Sequence, residues 1–65
     1  MNKAIEKRYL DTFRRKWGIE DKQARALMAE GILMVKQTRA MTDQGIMAVP
    51  GIGPATLSKI RAGDR

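Results

Sequence analysis

The chain contains no cysteine and no histidine. Without thiols there is no disulfide staple and no thiolate metal site. Without imidazole, histidine-based acid–base chemistry and Ser-His or Cys-His nucleophiles are excluded. Aromatic residues are scarce: Tyr9, Phe13 and Trp17 are the full set. No apolar run approaches the ~18 residues that a membrane span requires. The opening Met1-Asn2-Lys3-Ala4-Ile5 carries a charge without a long apolar region after it, so no secretory signal is expected. The seven acids, Glu6, Asp11, Glu20, Asp21, Glu30, Asp43 and Asp64, show no paired arrangement suited to metal or acid–base work. At 65 residues the chain is too short to enclose a substrate pocket and a catalytic shell, so no enzyme is expected.

A chain of this length is one domain at most. It buries only about 60% of its unfolded surface, so its stability is marginal unless a partner contributes. The 43% of hydrophobic residues suffices for a small core. The formal charge is +6, from 13 basic and 7 acidic residues. On so small a chain that field favours a polyanionic partner. No membrane partner is expected, and the cytoplasm is the expected location.

Hydrophobic spacing predicts a first helix over residues 3–17. Ile5, Tyr9, Leu10, Phe13 and Trp17 fall in one wide stripe, and Gly18 supplies a stop. The stripe is expected to cover the core rather than to stack on bases. A second helix is expected over 21–30, with Asp21 as N-cap and Ala24, Leu27 and Met28 inward. Lys22 and Arg25 then project together on the far side, beside the small Ala26 and Ala29. Gly31 ends this helix. Ile32-Leu33-Met34-Val35 would be a strand without a partner, so a turn at 31–33 and a short helix over about 34–40 are expected instead, burying Val35 and Met41. Thr42 is a strong N-cap for a helix over 43–49. A final helix is expected from Pro54 to about Ala62, with Leu57 and Ile60 inward, Thr56, Ser58 and Lys59 outward, and Gly63 closing it.

Between the last two helices stands Val49-Pro50-Gly51-Ile52-Gly53-Pro54-Ala55-Thr56-Leu57. Pro50 opposes continuation of the preceding helix, and Pro54 suits the first position of the next. Gly51 and Gly53 can take positive φ and leave the backbone open to a close neighbour. Such a turn aims amides outward at the positive end of a helix, where a phosphate is the natural occupant. A degenerate repeat at an offset of twenty relates Leu27-Met28-Ala29-Glu30-Gly31-Ile32 to Met47-Ala48-Val49-Pro50-Gly51-Ile52. The first copy has Leu33 where the second has Gly53, so it is expected to pack rather than to bind phosphate.

Val49, Pro50, Gly51, Ile52, Gly53, Thr56, Leu57 and Ile60 together resemble the helix-hairpin-helix motif of DNA-binding proteins. Across residues 19–62 the order of elements is similar to the C-terminal domain of the bacterial RNA polymerase alpha subunit. Ala29-Glu30-Gly31-Ile32, Thr42 and Gly53-Pro54-Ala55-Thr56-Leu57 carry that likeness. The resemblance implies an all-α, SAM-like bundle of about five short helices, with residues 1–18 an added amphipathic basic helix packed on a DNA-binding unit at 19–65. It implies contact with double-stranded DNA at the phosphate backbone and minor groove through Lys22, Arg25, Gly51, Ile52, Gly53, Ala55, Thr56 and Lys59. It admits a monovalent cation on hairpin carbonyls and no other cofactor.

Three positions depart from the family pattern. Ala55 stands where a basic residue is common. Lys22 falls near a groove-inserting arginine and lacks its planar fork, which implies weaker groove reading. Thr38 replaces a core leucine, which puts the packing of the third helix in question. Two functions follow from the resemblance. One is a DNA-binding protein serving transcription regulation or DNA maintenance. The other is an interaction module that docks on RNA polymerase or another DNA-processing protein, a reading that Ala55 favours.

Overall fold

Fifteen residues, Lys3–Trp17, form α1, whose first amides need an acceptor. Asn2 provides it, its Oδ1 accepting from the Ala4 amide at 2.7 Å. Gly18 stops the helix in the left-handed region at φ 67°, and its amide donates to the Arg14 carbonyl. The computed structural model describes residues 2–64. Among these it contains five helices and no strand.

The second helix, α2 (Asp21–Ala29), starts one residue earlier than the N-cap assignment to Asp21 implies. Glu20 is the N-cap, and its amide donates to Gln23 Oε1 at 3.2 Å. Asp21 lies in the first turn and pairs with Arg14 at 2.7 Å. At the other end, the Gly31 amide donates to the Met28 carbonyl and the Ile32 amide to the Leu27 carbonyl. This is the Schellman closure, with Gly31 at φ 83°.

The short α3 (Val35–Arg39) has Met34 as N-cap. Thr42 caps α4 (Asp43–Met47), its hydroxyl accepting from the Gly45 amide at 3.0 Å. The expected helix over 43–49 ends two residues early. Val49 precedes Pro50, whose ring excludes the helical region for its neighbour. The last helix, α5 (Pro54–Gly63), carries proline at its start, where no amide is missed.

α1 packs against α2 and α5, and α4 packs on α5. One apolar cluster holds Leu10, Phe13 and Trp17 with Ile19, Ala24, Leu27, Ile32, Ile46, Val49, Ile52 and Ile60. The Phe13 and Trp17 rings stack at 4.6 Å, so those two aromatics belong to the core. Ile5, placed in the same stripe, lies outside it at 47% exposed, and Tyr9 is half-buried.

Two positions differ from the expectation for physical reasons. Gly63 does not lie beyond α5 as a cap but is its last residue. A Cβ there would clash with the Lys16 carbonyl and the Trp17 ring, so the glycine lets α5 close on α1. Thr38 is fully buried. Its hydroxyl lies 2.9 Å from Asp64 Oδ2 and 2.8 Å from the Val35 carbonyl, which satisfies the buried oxygen. Asp64 also accepts from Trp17 Nε1 at 3.3 Å. Beside it, Arg61 donates to the Thr38 and Met41 carbonyls, each at 2.7 Å, and to Asp43 at 2.9 Å. The end of α3 and the start of α4 are thus tied to α5.

Candidate functional site

The segment between α4 and α5, residues 48–53, contains a four-residue turn at 49–52. The Ile52 amide donates to the Val49 carbonyl at 3.1 Å. Pro50 is second and Gly51, at φ 87°, is third. A type II turn demands this arrangement, since only its third residue needs positive φ. Ile52 then drops into the core at 5% exposed. Gly53 is the N-cap of α5 with φ −109° and ψ −174°, extended backbone open to any residue. A Cβ on Gly53 would meet no atom within 4 Å. Neither conformation nor internal space therefore requires glycine at 53.

The start of α5 is unsaturated. Leu57 is the first residue to donate back, to the Gly53 carbonyl at 2.9 Å. The amides of Gly53, Ala55 and Thr56 have no acceptor among the described residues. They stand at the positive end of a ten-residue helix. Ala55 is exposed beside them and Lys59 is exposed one turn on.

α2 flanks the turn. Lys22, Gln23 and Ala26 line a cleft of about 500 Å³ with Glu20, Pro50 and Gly51. Gln23 bridges the two walls: its Oε1 accepts from the Glu20 amide, and its Nε2 donates to Thr56 Oγ1 at 2.7 Å. The expectation that Thr56 faces outward is therefore corrected. It is 6% exposed because α2 supplies a donor for its hydroxyl. Ile52, also named as a contact, presents its side chain to the core.

Lys22 and Arg25 do not act as one pair. Lys22 faces the turn, whereas Arg25 reaches α1 and pairs with Glu6. Of the expected residues, the structure brings Lys22 and Gly51 to one cleft, sets Gly53 at the start of α5 and leaves Ala55 and Lys59 exposed on that helix. It sets Arg25 apart and buries Ile52 and Thr56.

Charge pairing is uneven. Among the described residues five of the seven acids engage three arginines: Asp11 and Asp21 on Arg14, Glu6 on Arg25, Asp43 and Asp64 on Arg61. The hydrogen bond and charge of Asp21 hold the Arg14 guanidinium above its usual pKa, so it stays charged at any working pH. Lys22 and Lys59 have no acid partner among the described residues. No group of three metal-ligating side chains converges among those residues, and no helix there is long and apolar enough to cross a membrane.

Comparison with known proteins gives no match to a family model, to a curated protein or to a solved structure.

Sequence reasoning missed Gln23, Gln37, Arg61 and Asp64. The glutamines had a local signal, since each stands three residues after an N-cap, where a side chain can reach back. Neither N-cap is Ser or Thr, which hid the pattern. Arg61 and Asp64 pair with each other at i,i+3, but nothing local marks their remaining partners, which lie 18 to 47 residues away.

Proposed function

We propose that this chain is a small non-enzymatic DNA-binding protein that grips the phosphate backbone beside the minor groove through a helix-hairpin-helix. In this reading a phosphate oxygen accepts from the open amides of Gly53, Ala55 and Thr56 at the start of α5. Lys22, beside the turn, and Lys59, exposed one turn into α5, add charge. Ile52 anchors the turn and Thr56 is held by Gln23, so both act through the backbone they position. Arg25 is left out of the contact set because Glu6 occupies it. Phosphate contacts carry no base information, so sequence preference is weak and follows groove shape. A monovalent cation on hairpin carbonyls belongs to the same reading, as do a nucleoid location and a role in transcription regulation or DNA maintenance.

The observation that carries this reading is Gly53. The chain itself has no need of glycine there, since its backbone is extended and a Cβ would meet no atom within 4 Å, at the residue that opens α5. Close approach of an outside group supplies the reason. The test is fluorescence anisotropy on a short DNA duplex across a salt series. Three to five neutralised phosphates give a log–log slope of about −3 to −4. Gly53→Ala should keep the circular dichroism spectrum and melting midpoint while weakening binding about tenfold. Absence of binding by the wild type at low salt refutes the proposal.

Ala55 favours a second reading, a module that docks on RNA polymerase or another DNA-processing protein. It is exposed at the helix start without the charge a phosphate would attract. A pull-down that recovers such a partner from a chain that binds no DNA would select this reading.

A further inference from the structure

The outer face of α1 is a cationic surface that the hairpin leaves unexplained. α1 carries Lys3, Lys7, Arg8, Arg14, Arg15 and Lys16 against two acids, Glu6 and Asp11. Both acids are already engaged, Glu6 by Arg25 and Asp11 by Arg14 at 3.6 Å. Arg14 is turned to Asp21. Lys3, Lys7, Arg8, Arg15 and Lys16 therefore have no acid partner among the described residues, and all five are exposed.

Helical spacing locates two of them. At 100° per residue, Arg8 and Arg15 lie within about 20° of each other and nearly opposite the Phe13–Trp17 face. Seven residues separate them along the axis by about 10 Å, close to three base-pair rises of a duplex. Ala4 and Thr12 flank Arg8 on this face, so the helix backbone can come near a flat or ridged partner. Thr12 keeps its hydroxyl on the Arg8 carbonyl and offers little bulk. Asp11 is the single acid at this edge, and Arg14 draws it aside.

This face is not continuous with the hairpin. α1 packs on α2 and α5 through Leu10, Phe13 and Trp17, while the hairpin meets the same core through Val49 and Ile52. The cleft beside the hairpin is lined by α2 and not by α1. One small body thus carries two cationic faces on different sides.

We infer that the outer face of α1, centred on Arg8 and Arg15, is a second binding surface for a nucleic-acid backbone, and that one molecule bridges two duplexes. Unpaired like charges at the end of long side chains fit a row of phosphates and require no shaped pocket. The inference rests on the hairpin reading for the first duplex only.

The experiment mixes a biotinylated and a fluorescent DNA duplex with substoichiometric protein and measures fluorescence recovered on streptavidin. The wild type should co-capture the second duplex. R8Q/R15Q, on exposed positions and checked by circular dichroism, should lower co-capture about tenfold while anisotropy on one duplex changes less than about twofold. R15Q/K16Q, which removes Arg15 from this face and Lys16 from its flank, serves as a second variant and should also reduce co-capture. The inference is overturned if a duplex-binding wild type captures no second duplex. It is overturned equally if R8Q/R15Q captures as well as the wild type, which would assign bridging to self-association. Loss of binding to anionic vesicles in R8Q/R15Q, with no co-capture by the wild type, would assign the face to a lipid surface and overturn it too. The hairpin reading fails separately, if Gly53→Ala and Lys22→Gln leave single-duplex anisotropy unchanged.

Discussion

Two turns in this molecule begin alike and end differently. Gly31-Ile32 and Gly51-Ile52 each place a glycine at positive φ, 83° and 87°, followed by an isoleucine buried to 4% and 5% exposure. Twenty residues separate them, the offset of the sequence repeat. In the first turn the helix closes directly on its glycine, and the Ile32 amide returns to Leu27. In the second, Val49 and Pro50 intervene, and the Ile52 amide returns only to Val49. The larger contrast comes next. After Ile32, Gln37 Oε1 accepts from the Leu33 and Met34 amides, each at 2.8 Å, and its Nε2 donates to the Gly31 carbonyl at 3.1 Å. After Ile52 the residue at the same step into the helix is Thr56, whose side chain turns inward to Gln23. Gln37 pairs the two amides that enter α3, although those of Val35 and Lys36 stay open, whereas no side chain pairs the amides of Gly53, Ala55 and Thr56 among the described residues. Side-chain capping of the entering amides, rather than the glycine itself, separates the two turns.

The parallel is tested hardest by its anchors. Ile32→Ala and Ile52→Ala should each cost about 2–5 kcal/mol in chemical denaturation, with similar losses. A silent result at either site would break the equivalence. Gln37→Ala should cost about 1–2 kcal/mol, since it strands two amides at the start of α3. Hydrogen exchange at Leu33 and Met34 should accelerate in that variant. Gly31→Ala and Gly51→Ala should each lose about 1 kcal/mol, because both backbones sit at positive φ with no neighbour to clash. In thermal melts the two midpoints should fall by similar amounts. Gly53→Ala should be nearly neutral for stability, within about 0.5 kcal/mol, and its effect should appear in DNA binding alone. A large stability loss there would remove the argument that its glycine serves an outside group.

Helix positions were legible because they depend on near neighbours. The bounds of α1, the cap at Thr42 and the proline start of α5 follow from residues within one turn of each site. The site was legible in part. Its glycines and prolines mark a turn at any level of description, and Lys22 does lie across from it. Thr56 was misplaced because threonine after a helix start is ordinarily solvated, and only Gln23, 33 residues away, draws it inward. Arg25 was misplaced because a basic residue on a helix face has no local sign of its partner on α1.

The amino-acid sequence determined the all-helical content, the two glycine turns, the open amides after Pro54 and the excess of positive charge. These rest on backbone sterics, capping and composition, which act over a few residues or over the whole chain without regard to fold. The tertiary structure decided which cations are neutralised and which remain free, why Gly63 must be glycine against Lys16 and Trp17, and how Thr38 is satisfied by Asp64. Each of those depends on two segments far apart in sequence meeting at a few ångströms, a distance that only packing sets.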